Sequence, residues 1–211
     1  MNFRKLALFA TVLALSVSAF AVDHVLYTQP FDQTGNAYSS QNDTNGLGNF
    51  ATVYDNFTIN AGGDYAIHEV QFTGEYFNPP AQGPITAWTV TFYADAAGQP
   101  GAALNTTNVA GTGGETFLGN FGGFPTYTYD ITGFKWDPMS GTQYWLSVVP
   151  DLGFPPQWGW STADSSHGPC DECDKIAWQD FFGVRSLLNV DMAFALERQG
   201  AQTCPLAHCR F

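Results

Sequence analysis

Positive charge is scarce in this 211-residue chain. Seven Lys and Arg stand against 19 Asp and Glu, for a formal net charge of −12. Two of the seven, Arg4 and Lys5, sit at the extreme N-terminus. A surface this acidic repels nucleic-acid phosphates and anionic lipid headgroups, so neither is expected as a main partner. The chain also lacks a second long apolar run and any sustained helical period beyond its first residues. No GxSxG elbow, HExxH helix, P-loop or dinucleotide fingerprint is present. His24, His68, His167 and His208 are scattered, and no Ser-His-Asp arrangement can be argued from them. An EF-hand is excluded as well, because "DQTGNAYSSQND" (32–43) has oxygen ligands without the glycine and glutamate spacing.

What is present begins with an export signal. Arg4 and Lys5 form a basic region, Leu6 to Phe20 an apolar one, and Ala19-Phe20-Ala21 fits the small-x-small rule for signal peptidase. The expected leader is residues 1–21, with a mature N-terminus at Val22 and secretion to the extracellular space. The apolar run is short for a membrane anchor, and no insertion is expected after cleavage. No cysteine follows the cleavage point, which argues against a lipoprotein.

From residue 24 onward, short apolar-polar alternations are separated by Gly, Pro, Asn and Asp. "WTVTFYAD" (88–95) places Trp88, Val90, Phe92 and Ala94 on one face. "TYTYDIT" (126–132) and "DMAFALE" (191–197) alternate in the same way. Period two with aromatic and β-branched residues is the half-buried strand signal. Further strands are expected near 24–29, 50–59, 66–77, 102–109, 115–119, 143–149, 157–162 and 177–182. About ten strands without intervening helices predict an all-β, antiparallel two-sheet sandwich, jelly-roll-like, over residues 22–197. The segment 198–211 loses the pattern and reads as an irregular cysteine-containing tail.

Several segments together resemble a family of secreted bacterial β-sandwich proteins, many of which end in a PEP-CTERM sorting signal. They are "FATVYDNFTI", "VQFTGEYFNPP", "VTFYADAAGQPGAAL", "QYWLSVVPDLGFPPQWGW", "QDFFGVRS" and "DMAFAL". The resemblance covers roughly residues 24 to 196. It implies the sandwich fold and export, and it carries over no catalytic residue. The chain departs from the family at "CPLAHCRF", which stands in place of the sorting signal, so release rather than surface anchoring is expected.

Four cysteines in an exported chain favour disulfides, with Cys170, Cys173, Cys204 and Cys209 as the candidates and three pairings open. Zinc is the alternative, recruiting His167, Cys170 and Cys173 with Cys204, His208 or Cys209. The CxxC lacks the βαβ context of a redox motif.

Among the carboxylates, Asp55 shares strand phase with Val53, Phe57 and Ile59. It is either a perturbed buried acid, a residue turned outward by a bulge, or a hydrogen-bonding anchor for a neighbouring segment. Glu69 and Glu75 fall on the polar phase of their strand and are expected in solvent. No resident cofactor is expected, with calcium left open at Asp32, Asn42, Asp43 and Asp191. "FPPQWGW" puts Trp158 and Trp160 on one strand face, and "EYFNPP" places Tyr76 beside another proline turn. These three are the candidate ligand residues, since ring faces stack on sugars. The same aromatics would also serve as core. The first functional expectation is a secreted, non-catalytic protein that binds carbohydrate or extracellular matrix. A secreted polysaccharide hydrolase, which needs paired carboxylates, and a structural matrix component without a discrete ligand are the alternatives.

Overall fold

The computed structural model of the protein describes residues 24–60 and 66–198. Two packed sheets account for nearly all of it. In the first, β1 (His24–Gln29), β15 (Phe194–Arg198), β5 (Glu69–Phe77), β11 (Gln157–Ala163) and β14 (Asp191–Met192) lie side by side in that order. Around them, β2 (Ala37–Ser39) pairs with β11, β9 (Phe124–Ile131) with β5, and β8 (Thr116–Phe121) with β9.

The second sheet has the order β13 (Val184–Leu187), β12 (Ala177–Phe181), β4 (Gly48–Thr58), β3 (Gln41–Asp43), β10 (Gln143–Leu152), β6 (Ala87–Asp95) and β7 (Pro100–Ala110). β4 also pairs directly with β10. The short β3–β10 pairing is parallel, set within otherwise antiparallel ladders. The expected β-sandwich is therefore the observed fold.

The alternation read from the sequence places the core. Val53 and Phe57 of β4, Val90 and Phe92 of β6, and Leu146 and Val148 of β10 project inward from the second sheet. Val70, Phe72 and Tyr76 of β5, Trp158 and Trp160 of β11, and Phe194 and Leu196 of β15 meet them from the first. Ring-on-ring contacts fill the space between: Trp88 crosses Trp158 at 5.1 Å and Phe92 stacks on Trp136 at 4.4 Å. Such pairs add to the gain from burial alone. Gly74 has a definite role here, because a Cβ at that position would come within 2.1 Å of the Trp158 indole. The missing side chain is the slot into which that ring fits.

The strand count exceeds the expectation at β2 and β3, three residues each and too short for a period to register, at β13, and where the strand expected over 191–197 divides into β14 and β15. Phe31–Asp43, read as loop and ligand-rich sequence, contributes two of them.

Candidate functional site

The aromatic candidates are core. Trp158, Trp160 and Tyr76 are each 0% exposed, which corrects the expectation of a ligand platform. Trp158 and Trp160 do share one strand face, but it is the inner one. Trp158 Nε1 donates to the Tyr129 hydroxyl at 3.1 Å, and Trp160 Nε1 to the Ala193 carbonyl at 2.9 Å. Tyr76 donates to Glu115 Oε1 at 2.5 Å. Their polar tips are therefore satisfied inside the protein, and no face is left for a ligand.

Asp55 is fully buried and anchors a neighbouring segment. Its Oδ2 accepts the Met192 amide at 2.5 Å and its Oδ1 accepts the Asn56 amide at 2.9 Å. Burial pushes its pKa well above the usual carboxylate range, aided by the nearby Asp191 and Asp174. Glu75 overturns the expectation of a solvated residue. It lies on the outer phase of β5, between Thr126 of β9 and Gly159 of β11, yet is buried. Burial raises its pKa to about 7.

Cys170 and Cys173 form a disulfide. The zinc reading fails for this pair, whose thiolates are not available to a metal. Cys204 and Cys209 lie outside the described residues, as do residues 1–21, where a leader is expected. The open calcium set does not converge. Asp43 is a loop organiser, accepting the Asn45, Leu47 and Phe154 amides. Asn42 donates to Asp151 at 2.7 Å. Among the described residues, no group of three or more His, Cys, Asp or Glu is arranged to hold a metal ion.

Asp32 and Asp191 do line one pocket of about 500 Å³ together with Asp164, Thr162, Asn189 and Lys175. Two of its carboxylates have structural roles. Asp32 accepts from the Thr34 amide and hydroxyl and from the Thr162 hydroxyl. Asp164 accepts the Ser166 amide at 2.8 Å, capping the 3-10 turn Ser165–His167. Held in this way, neither is poised as the partner of a general acid.

A polar-aromatic cleft lies on the outer face of the second sheet, beneath the β12–β13 hairpin. It was missed in the sequence, and the register explains it. Asp180 stands opposite Arg185 in the hairpin and opposite Thr52 on β4, while Trp178 stands opposite Tyr54. Cross-strand partners on one face fall within contact distance. Arg185 grips Asp180 through two bonds of 2.7 Å, Nε to Oδ1 and Nη2 to Oδ2. The Tyr54 hydroxyl donates to the same carboxylate at 2.9 Å, and the guanidinium lies 5.2 Å over the Tyr54 ring. The Arg185 guanidinium holds Asp180 below the usual carboxylate range.

The hairpin also reaches the far side of its sheet. Arg185 Nη1 donates to the Pro100 carbonyl and Trp178 Nε1 to the Gly98 carbonyl, both at 3.0 Å. In a flat sheet, even along the direct β4–β10 pairing, four intervening strands would hold β13 and β7 more than about 20 Å apart. The outer face is therefore closed over at this end, which explains why Trp145, Thr91 and Ser147 are buried on it. The open part of the cleft, about 450 Å³, is lined by Asn49, Phe50, Thr52, Tyr54, Asp180, Gly183 and Arg185. Asp180 is its one carboxylate, so the site has no acid–base pair. It offers hydrogen-bond donors and acceptors set against aromatic rings.

No family model matches the chain, and neither a curated protein nor a solved structure matches it.

Proposed function

We propose that this is a secreted, non-catalytic protein that binds an extracellular glycan in the cleft between β4 and the β12–β13 hairpin. The supporting observation is the Asp180–Arg185 fork braced on Tyr54. Sugar hydroxyls are recognised by planar groups that donate and accept at once, placed beside apolar ring faces. A preformed fork of this kind presents the donating and accepting groups at a low ordering cost on binding, while the exposed rings of Phe181 and Phe182 on the same hairpin supply apolar faces nearby. The basic, apolar and small-x-small leader supports the export half of the reading, as does the resemblance to secreted β-sandwich proteins. The single carboxylate of the cleft weighs against the hydrolase alternative.

The test is an array of neutral and acidic oligosaccharides probed with the mature chain, followed by calorimetry on any hit. Arg185→Met should abolish binding. Asn49→Ala, at an exposed rim position, should weaken it without altering the melting temperature. Binding that survives both substitutions in folded protein would remove the cleft as the site. Release of reducing sugar from a bound ligand would replace the binding reading with the hydrolase.

A further inference from the structure

One lateral side of the sandwich leaves two strand edges open, and it is independent of the glycan reading. β6 packs over β9, with Trp88 crossing Tyr129 at 4.8 Å. Each carries one further strand on that side, β7 beside β6 and β8 beside β9, joined by the short connection 111–115. Beyond its ladder to β6, the backbone of residues 102–110 makes no further hydrogen bond among the described residues, and β8 pairs with β9 alone. The irregularities of the β6–β7 ladder fall toward Pro100, so residues 105–110 run regularly. Edges on the opposite side are blunted, as edges in soluble proteins generally are. Asp171 bonds both the amide and the carbonyl of Thr28 on β1. β13 is four residues long and folds its Arg185 onto the Pro100 carbonyl.

The open side is also where this acidic chain carries almost no charge. From Pro100 to Phe121 the one charged residue is Glu115, whose carboxylate is taken up by Tyr76, Tyr129 and Gln82. A net charge of −12 holds copies of the chain apart over the rest of the surface, and here they can approach. Leu104, Phe117 and Leu118 are about half exposed on these two strands. A long edge without Lys or an interior proline is a template for another strand. The same strand reversed about a two-fold axis meets its free amides and carbonyls. We propose that β7 pairs antiparallel with β7 of a second copy, joining two seven-stranded sheets into one, with the two β8 strands facing each other a layer below. Thr106, in the middle of the free stretch, lies close to the axis. β7 spans about 35 Å over its 11 residues, and packed sheets lie about 10 Å apart. The contact therefore buries on the order of 500 Å² per copy, at the low end for specific association. Such a dimer is reversible and dissociates on dilution.

The experiment is sedimentation velocity of the mature chain over a range from about 1 to about 100 μM, the span in which a small interface is half occupied. The expected result is a monomer that becomes a dimer within that range. Amide exchange at residues 102–110 should slow as the concentration rises, which side-chain contacts alone would not cause. Thr106→Asp and Thr106→Lys, at an exposed position, each set like charges against each other near the axis. Both should raise the dissociation constant at least about tenfold, with the melting temperature of the dilute protein unchanged. An equal mixture of the two variants should dimerise again, because opposite charges then meet. Leu47→Lys, at an apolar residue exposed elsewhere, should leave the dimer intact. A folded wild type that stays monomeric at the top of the range would overturn the proposal. So would a dimer that both Thr106 variants leave unchanged, that Leu47→Lys dissolves, or that only a reductant separates. A mixture of the variants that stays monomeric would overturn the two-fold pairing of β7.

Discussion

The Met192 amide donates to Asp55 Oδ2 at 2.5 Å, tying β14 of one sheet to β4 of the other. Replacing Asp55 with alanine would strand two buried amides, those of Met192 and Asn56, and each unmet donor costs about 1–3 kcal/mol. Asp55→Ala should therefore destabilise the protein by about 2–5 kcal/mol. Asp55→Asn, which keeps one acceptor, should cost roughly half as much. Urea unfolding of both variants checks the order, and an alanine variant as stable as wild type would deny Asp55 this role.

Stability should depend on pH in an uncommon direction. Burial raises Asp191 to about 6 and Glu75 to about 7, and raises Asp55 as well. A carboxyl whose folded pKa is raised binds more protons in the native state than in the unfolded chain. Stability then falls as pH rises between the unfolded and folded values. Asp43, Asp164 and Asp180 are lowered, and their contribution is lost only at pH values below the ordinary carboxylate range. The melting temperature should peak at about pH 4–5 and decline toward pH 8. Glu75→Gln should flatten the upper part of that decline. A melting temperature that climbs steadily from pH 4 to 8 would contradict the assignment.

The core makes a sharper prediction. Phe92 is 1% exposed, between the sheets and stacked on Trp136. Trp160 is enclosed near Phe194. Phe92→Ala and Trp160→Ala should each cost about 3–5 kcal/mol. Thr91→Ala, on the outer face with a hydroxyl contact to Thr106 at 3.2 Å, should cost about 1 kcal/mol. Acrylamide should quench little of the fluorescence of Trp88, Trp145, Trp158 and Trp160, all fully buried. Ready quenching of the Trp158 and Trp160 signal would return them to the surface.

Period two was legible because β6 and β9 each place one face in the core. Val90 and Phe92 could be assigned inward from their neighbours alone. The same rule misled at Glu75, because alternation gives the face of a strand without saying what covers that face. It was also silent on whether the Trp158 face looked in or out, since a platform and a core strand share the same spacing. The cleft residues Tyr54, Asp180 and Arg185 could not be joined from sequence. Tyr54 and Asp180 are 126 positions apart, and only the β4–β12 register brings them together. The local signal that was available, Asp180 and Arg185 flanking the Phe182-Gly183 turn, is the mark of a hairpin with a cross-strand ion pair. The CxxC was legible as a staple, but the side chains it positions were not.

Those side chains give the last prediction. Between the two cysteines, Asp171 makes a double link to β1: its amide donates to the Thr28 carbonyl at 3.0 Å and its Oδ2 accepts the Thr28 amide at 2.7 Å. The Glu172 carbonyl accepts Gln29 Nε2 at 2.7 Å. Immediately after the second cysteine come Asp174 and Lys175, which reach Asn56 and Asp191. The disulfide closes a short turn, with a sequence separation of 3. A chain-entropy estimate for so small a loop gives about 2 kcal/mol, well below the cost of opening the core. Reduction should therefore loosen the strap while leaving the sheets folded. Amides 171–176 should lose hydrogen-exchange protection when the bond is reduced, and those of β6 and β10 should keep theirs. The tryptic fragment 136–175 should gain about two mass units on reduction. A reduced protein that keeps full protection at 171–176 would mean that the hydrogen bonds alone hold the strap, with the disulfide adding nothing to its order.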